Sequence, residues 1–433
     1  MHIRNNTKRA ILLLALLIGY QAIKAQTTDA LGTFTPYSLF GIGEIERQGT
    51  ALNRGMGGIG VGLRENKFIN YINPASITAR DTLSFMLDFG INEKNFYNAD
   101  KNVKSAYNTF NMSNVVITAP IYKKSAFMIG IAPYSNIGYK FEATENNPVL
   151  VEEYGDIKYQ QYGTGSINKF FVGGAMNFLK DFSLGAEFIY YFGSLNRHSN
   201  VLFTTSTAPR SLLTGWDYSI NAYSARIGLQ YFKNINKKYE ISFGATYSLK
   251  TSLEGDYYYY AFANSSSAVD TVAYNRINNN KINIPAELAV GFSLRKKDKW
   301  LVGFDYLRQN WNNTKFNLTP GVDFTPKASN SFKIGGEYTP NMYDVRYFFK
   351  RMTYRAGAYY EQSYIQLGPD RVNNFGITFG FAIPIYRMNN AINFAVDIGQ
   401  RGSKQGGLVR ERYVQFIINL SLHDIWFVKH RYQ

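Results

Sequence analysis

The sequence predicts an all-β fold: a 14-stranded antiparallel transmembrane β-barrel with an N-terminal plug. Three observations carry that expectation. Apolar and polar residues alternate with a period of two over fourteen segments. The connections between those segments alternate short and long. The chain opens on an export signal, and no later run reaches the ~18 consecutive apolar residues of a spanning helix.

Residues 1–25 read as a secretory signal peptide. Arg4, Lys8 and Arg9 make a basic start. Ala10–Tyr20 (AILLLALLIGY) is an apolar core too short to anchor a helix. Ile23-Lys24-Ala25 offers a small-residue cleavage site before Gln26. Residues 26–82 hold no long alternating run and are expected to form a hatch. The barrel takes residues 83–422, and 423–433 form a periplasmic tail.

The strand expectation rests on phase. Leu83, Phe85, Leu87, Phe89 and Ile91 share one face, with Ser84, Asp88, Gly90 and Asn92 on the other. Phe182–Phe192 and Tyr239–Lys250 repeat the pattern. The fourteen runs are 83–92, 108–121, 125–141, 165–178, 182–195, 217–232, 239–251, 282–295, 300–311, 330–340, 351–363, 373–384, 391–401 and 411–422. Most reach the ~9–11 residues that a tilted strand needs to cross the hydrocarbon.

A soluble sandwich would alternate in the same way, so the connections decide. One rim has YKKS, LKD, FKNINKK, RKKDK, a longer turn at 341–350 and YRMNNA. The other has long loops such as 142–164, 196–216 and 252–281. Short turns at one rim and long loops at the other are the outer-membrane pattern. The short turns hold fourteen basic residues against three acidic ones, which suits a periplasmic rim near anionic headgroups or plain solvated turns. Trp300 on one rim, with Trp216 and Trp311 on the other, are expected in the aromatic girdles.

Composition closes off other classes. The chain holds 47 basic and 31 acidic residues, but an exported chain rarely meets nucleic acid, so none is expected as partner. Without cysteine there is no disulfide, thiolate metal site or lipid-modified cysteine anchor. The four histidines, His2, His198, His423 and His430, form no pair, and His198 has no acid nearby in sequence. Neither enzyme chemistry, nor a cofactor, nor a metal is expected.

Residues 54–77 read RGMGGIGVGLRENKFINYINPASI, in which Gly55, Gly57 and Gly60 fit G-x-G-x-x-G. A dinucleotide loop needs a buried strand before it and a helix after it. IERQGTALNR precedes the run and LRENKFINYINP follows it; neither qualifies. Glycines also permit tight turns and close backbone contact with a wall, which suits a compact plug. Arg54, Gly55, Gly57, Gly58 and Gly60, followed by Asn73, Pro74 and Ala75, resemble the hatch signature of the long-chain fatty-acid and toluene transporter family of outer-membrane proteins (FadL type). That resemblance implies a fourteen-stranded barrel with an N-terminal plug that moves hydrophobic molecules. It also implies a kinked third strand with a lateral exit into the membrane. In AFMIGIAPYSNIGYKF, Gly130 and Pro133 are the candidates to frame that opening, or else a bulge with no conducting role.

A fatty acid would need an apolar slot and a cation for its carboxylate. By strand phase Arg226, Lys250, Lys333 and Arg355 point into the lumen, as clamps or as partners of interior acids such as Glu240, Glu337 and Glu361. Tyr257–Tyr260 belong to a long loop that either captures ligand, docks a partner or simply packs. The expected partners are the bilayer and a hydrophobic small molecule, moved passively. The alternative is a barrel subunit of a multi-protein outer-membrane assembly for secretion or barrel insertion, which a tail carrying Trp426 and Phe427 would suit. A general porin is a third reading, which the expected plug opposes.

Overall fold

The computed structural model describes residues 31–80, 84–100, 103–122, 124–203, 210–265, 268–277, 281–316, 323–385, 390–404, 406 and 408–425. The expected signal peptide, and residues 426–433 of the expected tail, lie outside these.

Fourteen strands form the wall: β1 (Ser84–Ala99), β2 (Lys104–Tyr122), β3 (Ser125–Thr144), β4 (Ile157–Phe178), β5 (Phe182–Phe203), β6 (Ser211–Asn234) and β7 (Tyr239–Ser248). The second half has β8 (Glu287–Lys296), β9 (Trp300–Gln309), β10 (Ser329–Tyr338), β11 (Thr353–Leu367), β12 (Asp370–Pro384), β13 (Ala391–Arg401) and β14 (Arg410–Ile425). Each is antiparallel to the next, and β14 closes on β1 from Ser84↔Ile425 to Ala99↔Arg410. Closure removes the free edges that lipid cannot satisfy. Leu288, Val290, Val302, Phe304, Ile334 and Phe379 are exposed on the outer face and form part of its apolar band. No described helix is long and apolar enough to cross a membrane.

Each of the fourteen expected runs supplies one wall strand, yet several strands extend well past the alternation. β4 starts at Ile157, β5 ends at Phe203 and β6 starts at Ser211. Alternation reports two environments, lipid and lumen. Beyond the bilayer both faces are wet, so backbone pairing continues without leaving that signal.

Four expectations need correction. The segment 252–281 is no loop: Tyr257–Asn264 pairs with the outer end of β6 and with Val269–Ile277. The run at 282–295 is interrupted: Ile282–Ile284 pairs with Thr251–Leu253, and the wall strand restarts at Glu287. Pro285 stands between and has no N–H for a ladder. Trp311 is not in a girdle; it is fully buried and stacks on Tyr364 at 4.6 Å. His423 is not in a tail, because β14 continues to Ile425 and His423 pairs with Met86.

Residues 31–80 lie against the inner face of the wall. They contain two short 3-10 turns (Pro36–Leu39 and Pro74–Ala79), one helical turn (Ala51–Arg54) and a two-residue strand (Glu44–Ile45). The buried apolar core joins this segment to inward side chains, with Tyr37, Ile42 and Tyr71 among Ile137, Phe171, Tyr218 and Tyr364.

Candidate functional site: plug anchors, wall gap and lumen cavity

The glycine run does hold an anion, one supplied by the protein. The N–H groups of Gly60 and Val61 donate to Asp305 Oδ2 at 2.6 and 2.8 Å, and Gly62 N–H to Oδ1 at 3.4 Å. Successive backbone N–H groups make an anion-binding concavity, and here β9 fills it with a carboxylate that is 1% exposed. Gly57 has φ +69°, and its N–H donates to Thr378 Oγ1 at 2.7 Å. A Cβ at Gly57 would stand 2.6 Å from the carbonyl oxygens of both Ala358 and Ile334. Arg54 lies 3.7 Å from Asp397 and also donates to Gln415.

Glycines of the wall complete the fit. A Cβ at Gly335 would meet Met56 O at 2.2 Å, and one at Gly244 would meet Val61 O at 1.9 Å. Asn73 accepts from Ala75 N–H at 3.0 Å to cap the Pro74 turn, and donates to Val61 O at 2.9 Å. These residues thus pack the N-terminal segment closely against the wall. Asp305, Thr378 and the wall glycines were missed in the sequence. Asp305 does share the inward phase of Leu301 and Gly303, which marks it as a lumen carboxylate without naming its partner.

Two plug carboxylates are ion-paired to the wall. Glu44 meets Lys94 and Arg401, each at 2.6 Å, and Glu65 meets Arg295 at 2.6 Å. Burial alone would raise both carboxyls. Arg401 and Lys94 around Glu44, and Arg295 and Lys67 around Glu65, outweigh it and hold both below the ordinary range, Glu65 at about 2. A depressed native value contributes stability that is fully present above the unfolded value of ~4.3 and is lost as pH falls through the native one. We therefore expect residues 31–80 to resist pepsin at about pH 4.5 and to be cut increasingly as the pH approaches about 2. Equal protection at both ends would contradict it.

The third strand parts from its neighbour. The β2–β3 ladder runs from Tyr122↔Ser125 to Val115↔Ile131 and stops there. Above it β3 pairs with β4, with a register shift between Pro133 and Ser135. Pro133 therefore sits where the strands separate. Gly130 is still paired on both sides, to Val116 and Phe171, and a Cβ there would meet Phe171 Cζ at 2.5 Å, so it serves packing beneath the gap. The plug segment occupies the gap. Glu44 and Ile45 pair with Asn136 and Ser135, and Thr35 N–H donates to Gly138 O at 2.9 Å. On the β2 side Asn111 donates to Gly32 O at 2.7 Å, and Phe34 stacks on Tyr107 at 4.4 Å.

Behind this gap lies a cavity of about 210 Å³, bordered by plug residues 43–48, Tyr134, Lys169, Arg226, Lys333 and Tyr364. Of the expected ligand cations, Arg226 borders it but lies 3.2 Å from Glu187. Lys333 borders it with no carboxylate within ion-pair distance among the described residues. Arg355 is away from the cavity, paired with Glu337 at 3.3 Å. Lys250 does not point into the lumen: it lies past the end of β7 and is exposed, because the strand phase stops at Ser248. Lys169 was missed. It is 1% exposed, borders the cavity, and has no hydrogen-bond or carboxylate partner among the described residues, only the rings of Tyr71 and Phe171 at 5.5 and 5.2 Å. It shares the inward phase of Ile167 and Phe171, a signal legible in the sequence.

A family model described as BamG matches residues 7–433. No curated protein matches the chain. Among solved structures, the P. putida toluene transporter TodX is 16% identical with TM-score 0.59, over 88% of this chain and 100% of that one. A Pseudomonas aeruginosa FadL homologue is 14% identical with TM-score 0.58, over 89% and 100%. The CymD monoaromatic hydrocarbon channel is 17% identical with TM-score 0.57, over 87% and 97%. At such identities these likenesses show the barrel fold alone.

Proposed function

The chain belongs to the BamG family, and from that footing we propose that it is an outer-membrane barrel passing hydrophobic small molecules with an anionic head, such as long-chain fatty acids. The molecule rests above the plug and leaves sideways between β2 and β3, passively and without catalysis. The observation that carries this reading is the parting of β2 and β3 at Pro133 beside a cavity bordered by Lys169 and Lys333, two buried cations with no carboxylate partner among the described residues. Burial strengthens attraction between such an ammonium and a ligand carboxylate.

The test is uptake of a fluorescent fatty acid by cells whose only copy is Pro133→Val or Lys169→Met. Restoring the ladder at residue 133 is expected to cut the initial rate several-fold in a barrel that still folds. Removing the Lys169 charge is expected to weaken uptake of the acid more than of its methyl ester. Unchanged rates in both variants would end the transport reading.

A second reading has its own observation. The plug is ion-paired to β1, β8, β11 and β13, and its own residues fill the wall gap. A barrel closed in this way suits a subunit of a multi-protein outer-membrane assembly, for secretion or barrel insertion. Purification in mild detergent separates the two: stoichiometric partner proteins support the assembly, bound fatty acid or lipid supports transport.

A further inference from the structure

The short-turn rim, which the outer-membrane pattern places in the periplasm, has a cavity of its own. It measures about 330 Å³, within the ~300–1,000 Å³ range of ligand pockets. Plug residues Arg64–Phe68 form its roof, and the ends of β7 to β11 form its sides. Six basic side chains border it, Arg64, Lys67, Arg295, Lys296, Lys297 and Lys299, against the acids Glu65, Glu240, Asp298 and Glu337.

Two of those acids are already engaged. Glu65 pairs with Arg295 at 2.6 Å, and Glu337 with Arg355 at 3.3 Å. Asp298 lies 4.0 Å from Lys67. The residual charge is therefore positive. Arg64 is its buried part: only 8% exposed, it donates to Gln230 Oε1 at 3.3 Å and lies 3.7 Å over the Phe232 ring, with no carboxylate within ion-pair distance among the described residues. Lys297 and Lys299 are its exposed part, on the β8–β9 turn.

Beside the cavity stands an apolar projection. The turn between β10 and β11 exposes Tyr343, Val345 and Phe349. Met342 at its base touches Lys67 Nζ at 2.8 Å. A basic hollow with an exposed apolar shoulder complements a segment that carries both carboxylates and an apolar side chain.

We propose that this periplasmic cavity docks an acidic, aromatic-bearing extended segment of a periplasmic protein. Geometry argues against a lipid headgroup. Glu240, Arg295 and Glu337 are in phase with Gly244, Gly291 and Gly335, which meet the plug, so they face the barrel interior and the cavity opens along the barrel axis. A lipid held in the surrounding leaflet does not reach it. The inference deepens the assembly reading by naming the face and the chemistry of a partner.

The test uses the full chain in detergent and a fluorescent peptide of alternating glutamate and phenylalanine, with its glutamine counterpart as control. Anisotropy is expected to show salt-sensitive binding of the acidic peptide alone. Lys297→Glu combined with Lys299→Glu should weaken it by about tenfold or more, since charge reversal turns attraction into repulsion at close range. Arg64→Gln should weaken it similarly, and Lys250→Gln, on the far rim, should not. Equal binding of the glutamine peptide, no effect of the double reversal, complete displacement by millimolar inorganic phosphate, or competition by anionic vesicles as strong as by peptide would each overturn the proposal. If peptide binding fails while partners still co-purify, the partner docks elsewhere and the assembly reading stands.

Discussion

Asp305→Ala is expected to undock the glycine run from the wall and lower barrel stability by roughly 3–6 kcal/mol. The carboxylate takes the N–H groups of Gly60, Val61 and Gly62 in a site that is almost fully buried. Each buried donor left unpaired costs about 1–3 kcal/mol, and water entering the vacated space recovers part of that. Asp305→Asn keeps one acceptor oxygen but turns a donor toward donors, so an intermediate loss is expected. Thermal loss of the compact form on a heat-modifiability gel measures the stability. Cleavage within residues 31–80 by trypsin at neutral pH measures the undocking. An alanine variant as heat-stable and protected as the parent would show that the plug holds without this anchor.

Gly57→Val should be as damaging, for two reasons that add. Its φ of +69° is a conformation that costs an L residue roughly 1–2 kcal/mol, and a β-branched one more. Its side chain would also press on the carbonyl oxygens of Ala358 and Ile334 at 2.6 Å, contacts to the backbone of two wall strands that cannot swing away. Overpacking of that kind costs about 1–3 kcal/mol. The matched control is Gly174→Ala, where the nearest atom would lie at 3.7 Å, an ordinary contact. The control is expected to fold with near-parental heat stability while Gly57→Val yields little compact barrel. Similar behaviour of the two would mean that close approach of plug and wall is unimportant.

These expectations show how differently the parts of the protein are written in its sequence. All fourteen strands were legible because each crosses between lipid and lumen, and a period of two records that. Lys250 shows where the rule fails: it lies two residues past Ser248, where the strand has ended and phase has no meaning. Trp311 shows another failure. An aromatic near a rim suits a girdle on composition, but a partner such as Tyr364 inside the barrel draws it inward.

The G-x-G-x-x-G run of residues 55–60 shows the boundary between local pattern and tertiary contact. In the sequence no buried strand and helix flank the glycines, which favours the expectation of a plug over that of a nucleotide loop. Chemistry of the phosphate-loop kind nonetheless persists, with Asp305 in place of a phosphate, 245 residues beyond Gly60.

By itself the sequence determined a barrel of fourteen strands, the alternation of short and long connections, and the presence of a glycine-rich segment ahead of the strands. These are local properties: alternation, turn length and composition. Only the tertiary structure decided that Asp305 anchors the run, that residues 32–46 fill the gap between β2 and β3, and that Lys169 and Arg64 are buried with no carboxylate within ion-pair distance among the described residues. Each of those depends on residues brought together by barrel closure from far apart in the chain, and no local pattern encodes which inward side chain will face which turn of the plug.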